Sequence, residues 1–159
     1  MRWIVLASPI GELSVAMDDI GVCGVQFGAV ENVTGDAEDD GFASVVAELR
    51  GYFAGELTGF TVPLSVRRGS EFERAVWDEM TKIPYGETRT YGEVARMVGD
   101  PGAARAVGVA CNRNPIPVIV PCHRIVGAGG KLVGFGGGLP RKRHLLELEA
   151  GVALRHAWG

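Results

Sequence analysis

The residues best suited to covalent chemistry lie side by side in Pro121-Cys122-His123-Arg124. A cysteine attacks as thiolate, so its thiol needs a base or a positive field nearby to bring its pKa down from about 8.5. His123 and Arg124 are the adjacent candidates. Neighbouring side chains rarely face one another, so His123 must reach the thiol through a turn or a bridging water. A carboxylate is then wanted to orient the imidazole, and the acids downstream are Glu147 and Glu149. The alternative is a buried, inert Cys122 with a capping His123, and composition alone leaves both readings open.

Cys23 falls in Gly21-Val22-Cys23-Gly24-Val25 and reads as a small core side chain of a strand. Cys111 closes a run of small residues, where it serves either helix packing or the wall of a site around Cys122. No Cys-x-x-Cys or His-x-x-x-His pair occurs, which argues against zinc. The glycine-rich segment lacks both Gly-x-Gly-x-x-Gly and a Gly-Lys-Ser/Thr ending, which argues against a phosphate loop. Neither a metal nor a cofactor is therefore expected.

Elements must bring these groups together. Trp3–Ala7, Leu13–Met17 and Val22–Phe27 read as strands separated by turn-rich Ser8-Pro9-Ile10-Gly11 and Asp18-Asp19-Ile20-Gly21, a β-meander. The acidic segment Glu31–Asp40 reads as a surface loop, Phe42–Phe53 as a helix, and the chain around Phe60–Val66 as extended. Ser70-Glu71-Phe72-Glu73 and Thr90-Tyr91-Gly92-Glu93 both fit the capping box, predicting helices over about 71–82 and 91–98. Gly99-Asp100-Pro101-Gly102 connects the second to a helix over Ala103–Cys111, so the pair suggests a helix-turn-helix. That helix carries little bulk around one long cation, Arg105, suited to close approach either to a nucleic-acid groove or to a neighbouring helix. Gly127–Gly138, with seven glycines in twelve residues, suits a mobile hairpin or wing. A last helix begins at Pro140 with Leu145, Leu146 and Leu148 expected on its buried side.

The chain of 159 residues, 47% hydrophobic and 22% charged, suffices for one core or two small ones and excludes a disordered chain. Its 24 glycines follow no Gly-X-Y period, which excludes collagen. No apolar run is long enough to span a bilayer, Pro9, Gly11 and Glu12 interrupt the apolar start, and three cysteines in no framework spacing suit a reducing, cytoplasmic setting. The net charge of −3 argues at first against nucleic acid. However, residues 1–66 hold 2 basic and 10 acidic side chains (net −8), whereas 67–159 hold 14 and 9 (net +5). Between Asp100 and Glu147 there is no acid, while Arg105, Arg113, Arg124, Lys131, Arg141, Lys142 and Arg143 lie in that stretch. It is either a solvated basic face or a polyanion footprint.

Ile119-Val120-Pro121-Cys122-His123-Arg124-Ile125-Val126, preceded by Arg105-Ala106-Val107-Gly108 and Asn114-Pro115-Ile116-Pro117, resembles the active-site signature of the O6-alkylguanine-DNA alkyltransferases. The resemblance extends over Gly69–Glu149 with compatible spacing, through Phe72, Val76-Trp77, Ile83-Pro84-Tyr85-Gly86, Thr90-Tyr91 and Gly136-Gly137-Gly138-Leu139. Ser8-Pro9-Ile10-Gly11 and Tyr52-Phe53-Ala54-Gly55 are more weakly similar to that family's amino-terminal half.

The resemblance implies an α/β fold: a small ribonuclease-H-like domain over residues 1–66 and a winged helix-turn-helix domain over 67–159. It implies irreversible, stoichiometric alkyl transfer from O6-alkylguanine, and from O4-alkylthymine, in duplex DNA to Cys122 after base flipping. His123 would be the water-mediated base, Glu149 its orienting carboxylate, and Asn114 the brace beside the cysteine. Arg105 would enter the duplex where the guanine leaves, on a helix whose Ala103, Ala104, Ala106 and Gly108 meet DNA. Tyr91 would press on the 3′ phosphate and give guanine a proton. Cys111, Pro117, Ile125, Phe135, Gly136 and Gly137 would line the pocket. Phe135 stands where tyrosine is frequent, and Cys111 where some members carry a longer apolar side chain. The partner expected is alkylated double-stranded DNA, with no membrane, and the protein is expected to be a cytoplasmic monomer. Two competing classes are a non-catalytic lesion binder, whose known examples lack the acceptor cysteine, and a multiple-turnover thiol hydrolase using Cys122 and His123.

Overall fold

The computed structural model describes residues 1–158, which divide into two compact units, Met1–Arg67 and a second beginning at Arg68.

In the first unit, β1 (Arg2–Leu6), β2 (Leu13–Met17) and β3 (Val22–Phe27) form an antiparallel meander in sequence order. The two connections close by local bonds that their sequences encode. Ser8 and Gly11 exchange backbone hydrogen bonds at 3.2 and 3.1 Å. Asp18 Oδ1 accepts from the amides of Ile20 and Gly21 at 2.8 and 3.1 Å, an Asx turn. Gly21 has a steric reason to be glycine, since a Cβ there would lie 2.2 Å from the Pro63 carbonyl oxygen. That carbonyl accepts from the Val22 amide, so the extended chain before Val66 runs beside β3 and makes a parallel bridge at Leu64. The helix α1 (Ala43–Phe53) follows a 3-10 turn at Asp40–Phe42 and buries Val45, Val46, Leu49 and Tyr52. With Ile4, Leu6, Ile10, Leu13, Val15, Ala16, Val22, Cys23, Val25 and Phe42 these are the unit's buried apolar residues.

In the second unit both capping boxes form. Ser70 Oγ accepts from the Glu73 amide at 3.1 Å while Glu73 reaches back to the Ser70 amide, starting α2 (Glu71–Thr81). Thr90 and Glu93 do the same for α3 (Tyr91–Met97) after the two-residue strand β4 (Arg89–Thr90). The small-residue helix α4 (Ala104–Asn112) packs against α2 and α3, and Trp77 Nε1 of α2 donates to the Ala110 carbonyl at 2.8 Å. It begins one residue later than its composition predicts, because Ala103 (φ −96°, ψ 21°) stands outside the helix as its cap. A 3-10 turn at Cys122–Arg124 leads into β5 (Ile125–Val126), which pairs in parallel with β4.

Two expectations change here. Gly127–Gly138 is a wing without a hairpin ladder: Gly127 donates to the Lys131 carbonyl at 2.8 Å around a 3-10 turn at Ala128–Gly130, and the chain from Lys131 to Gly138 is loop. The helix α5 (Leu139–Trp158) starts at Leu139 and buries Lys142, Leu145, Glu149 and Val152, with Leu146 and Leu148 only half-buried. The buried stripe follows the helical spacing of three and four residues, not the local leucine density.

Candidate active site

The segment from Asn114 to Arg124 is a tightly bonded loop that carries the cysteine. Asn114 Oδ1 accepts from the Ile116 amide at 3.0 Å, and its Nδ2 donates to the Val120 carbonyl at 2.9 Å. Between those anchors Val118 adopts φ 72°, a left-handed conformation costly for a β-branched residue and held only because its surroundings over-determine it. The Cys122 amide then donates to the Val120 carbonyl at 2.9 Å. Pro117, Val120 and Ile125 are buried around the turn.

Cys122 is buried, and burial pushes its thiol up, while the Asn114 amide and the Lys142 ammonium act to lower it. His123 is fully buried and its Nε2–H donates to Glu149 Oε2 at 2.7 Å. Glu149, not Glu147, is therefore the imidazole's acid. The Arg124 guanidinium grips the same carboxylate, Nε to Oε1 at 2.8 Å and Nη2 to Oε2 at 3.1 Å, and Nη1 donates to the Ile83 carbonyl at 2.8 Å. The Gly86 amide adds a bond to Oε1 at 3.2 Å. Gly86 has φ 80° and sits so near α5 that a Cβ would lie 2.8 Å from Ala153 Cβ. Burial alone would raise the Glu149 carboxyl, but His123 and Arg124 hold it down at about 2. Burial keeps His123 neutral, so with Nε2 protonated its basic nitrogen is Nδ1, which is buried and has no hydrogen-bond partner among the described residues. Arg124, one of the two groups expected to act on the thiol, instead has its charge matched by Glu149.

Tyr91 opens α3 beside β5, where the pairing of Arg89 with Ile125 and Thr90 with Val126 delivers it. Its hydroxyl donates to the carbonyls of Val133 and Gly134 at 3.2 and 3.4 Å. Burial and the nearby Cys111 and Cys122 thiols raise it to about 12. Cys111 is buried at the end of α4, its thiol also pushed up to about 12 by burial and by Cys122. Cys122, His123, Glu149, Asn114, Tyr91 and Cys111 thus share one neighbourhood.

The other predicted residues differ in exposure, and Gly108 faces the Tyr91 ring, 3.8 Å from where its Cβ would stand. Arg105 and Ala106 are exposed on α4, with Ala103, Ala104 and Gly108 half-buried. Phe135 is half-buried, Gly136 exposed and Gly137 buried in the loop before α5. Lys142 was not among the predicted site residues, yet it is fully buried and donates to the carbonyls of Ile125, Val133 and Gly134 at 2.6, 2.9 and 3.2 Å. Its signal was positional: it lies seven residues before Glu149 on one helical stripe. Among the described residues no group of three or more His, Cys, Asp and Glu could hold a metal ion, and no helix is long and apolar enough to cross a membrane.

Residues 71–151 match the family model for the DNA-binding domain of 6-O-methylguanine DNA methyltransferase, and residues 1–66 that for its ribonuclease-like domain. The methylated-DNA–protein-cysteine methyltransferase of Mycobacterium leprae is 60% identical over 112 residues, which cover 70% of this chain and 67% of that protein. The protein of the same name from Methanosarcina acetivorans is 47% identical over 154 residues, 94% of this chain and 98% of its own. The crystal structure of Mycobacterium tuberculosis OGT in complex with DNA superposes with a TM-score of 0.86 at 48% identity, covering 96% of this chain and 94% of that one. With both of its halves matched and a buried cysteine on a His–Glu pair, this chain belongs to the 6-O-methylguanine DNA methyltransferase family.

Proposed function

We propose that the protein repairs DNA by direct reversal, moving an alkyl group from O6-alkylguanine, and from O4-alkylthymine, in duplex DNA onto Cys122, once per molecule. The observation that carries this reading is the buried Cys122 on the same turn as His123, whose Nε2 is committed to Glu149 and whose Nδ1 is left to take a proton. Membership of a family whose relatives are named methylated-DNA–protein-cysteine methyltransferases supports it.

In the reaction His123 Nδ1 takes the thiol proton through a water, and Glu149 holds the ring and steadies the imidazolium. The sulfur displaces guanine from the alkyl carbon, and Tyr91 supplies the departing base with a proton, so no anionic base has to leave. Asn114 braces the loop, and Cys111, Pro117, Ile125, Phe135, Gly136 and Gly137 line the pocket. The lesion lies inside the base stack, so the nucleotide must be extruded, at a cost of about a few kcal/mol. Arg105 fills the vacated stack, and the small residues Ala103, Ala104, Ala106 and Gly108 let α4 lie close to the groove. The relative solved in complex with DNA supports DNA as the partner. The protein acts as a cytoplasmic monomer built from domains 1–66 and 67–159, the second of which meets the DNA.

The test is transfer of labelled methyl from an O6-methylguanine duplex, with the modified peptide mapped. Label should reach one equivalent per protein, all of it on Cys122; normal transfer by Cys122→Ala would overturn the assignment.

A further inference from the structure

The turn Ile83-Pro84-Tyr85-Gly86, between α2 and β4, has no task in the reaction above, yet it touches both members of the ion pair that aims His123. A guanidinium presents its donors along its edges and leaves its two faces bare. Arg124 directs its edges at Glu149, at 2.8 and 3.1 Å, and at the Ile83 carbonyl, at 2.8 Å. Tyr85 meets the group from another side, with Arg124 Cζ 5.6 Å from the centroid of its ring. That distance is within reach of a cation–π contact, which is stronger where water is excluded, and Arg124 is buried. The next residue, Gly86, gives its amide to Glu149 Oε1 at 3.2 Å.

The turn is itself fixed. Ile83 is buried, the Glu87 amide donates to the Pro84 carbonyl at 3.0 Å, and Gly86 lies against Ala153 of α5. The charged groups facing Tyr85 are Arg124, and Glu149 and Arg155 of α5. Those facing His123 are Glu149, Arg124 and Lys142. Arg124 and Glu149 are common to both, so the path from Tyr85 to the imidazole runs through the ion pair. Its last step is one atom: Glu149 Oε2 accepts from Arg124 Nη2 at 3.1 Å and from His123 Nε2 at 2.7 Å. A two-pronged pair fixes the carboxylate's orientation as well as its place, so a guanidinium that tilts takes Oε2 with it.

We propose that Tyr85 is a positioning residue for alkyl transfer: its ring holds the Arg124 guanidinium in place on Glu149, and so keeps Glu149 Oε2 aimed at His123. This rests on the reading that His123 serves Cys122 as its base. Tyr85 exchanges no proton in the step. The thiol proton leaves to His123, the sulfur–carbon bond forms as the carbon–O6 bond breaks, and guanine takes up one proton.

The test compares the whole chain with its Tyr85→Phe and Tyr85→Leu variants, all carrying isotope-labelled histidine. Two things are read: the NMR resonance of the His123 Nε2–H, and the rate of transfer from free O6-benzylguanine. Phenylalanine keeps the ring, whereas leucine keeps apolar bulk and removes the π face. Tyr85→Leu should react about fivefold more slowly, the size of one cation–π contact, with its Nε2–H resonance displaced. Tyr85→Phe should match the parent in both. An unchanged His123 resonance in folded Tyr85→Leu overturns the proposal whatever happens to the rate, because a merely structural role would leave the imidazole where it is. A displaced resonance in Tyr85→Phe overturns it too, and that variant keeps the proposal open to refutation where the leucine variant does not fold. Failure of the acceptor assignment is separate: label on the parent mapped away from Cys122 sinks that reading and leaves the comparison of resonances standing.

Discussion

Glu149 and Arg124 form a two-pronged ion pair inside the second unit, at 2.8 and 3.1 Å, and the same carboxylate holds His123 at 2.7 Å. One carboxylate thus neutralises the arginine and aims the imidazole. Replacing it with alanine strands a buried guanidinium. Glu149→Ala should lose about 3–5 kcal/mol of stability, measured by urea unfolding, and should also slow alkyl transfer. Retention of full stability would mean that the pair contributes nothing net.

The same carboxylate sets a pH dependence. Its pKa when folded is about 2, below the ordinary 4.5, so the stabilisation is complete above about 4.5 and is lost as pH falls towards 2. His123 acts with the same sign: burial disfavours its protonation, so its contribution begins to fall as pH drops below 6.5. Unfolding free energy should therefore decline in two stages on acidification. Glu149→Gln should flatten the lower one, and an unchanged acid limb in that variant would refute the link.

Asn114 holds a loop that contains a strained residue. Removing its amide frees the Ile116 N–H within a buried segment and leaves the Val120 carbonyl with the Cys122 amide as its donor. Asn114→Ala should cost about 1–3 kcal/mol and slow the reaction with free O6-benzylguanine as well as with DNA, because the defect lies in the sulfur's placement. A rate loss confined to DNA would contradict this.

Arg105 should behave in the opposite way. It is exposed on α4, so Arg105→Ala should leave stability within about 0.5 kcal/mol of the parent. If it fills the vacated stack, repair of duplex DNA should slow far more than reaction with free O6-benzylguanine. Equal losses on both substrates would remove the finger role.

What the sequence reveals and what it hides divide along physical lines. Strands and helix starts were legible because their signals are local. Alternation marks β1 to β3, and Ser70/Glu73 and Thr90/Glu93 each settle a helix within four residues. The absent ladder over Gly127–Gly138 was not legible, because glycine permits a turn without demanding a hairpin. The partnership of Glu149 with both His123 and Arg124 spans more than 20 residues and needs α5 in register, so the residues alone offered Glu147 or Glu149, and the family resemblance pointed to Glu149. Lys142 was hidden for another reason. Between Arg141 and Arg143 it looks like part of a solvated basic run, and only the period set by Leu145, Glu149 and Val152 turns it inward.

The depth at which Cys122 lies has a bearing on how long the protein stays usable. A molecule that reacts once is useful only while its sulfur is unreacted, and a cell contains oxidants and soft electrophiles that consume exposed thiolates. Burial, which raises the thiol's pKa, keeps most of the sulfur protonated and out of reach of molecules in solution. Cys111 and Tyr91 are the sulfur's neighbours, and a reagent that stays in solvent does not meet it. The features that make this cysteine slow as a general nucleophile thus give the protein its shelf life between encounters with damage.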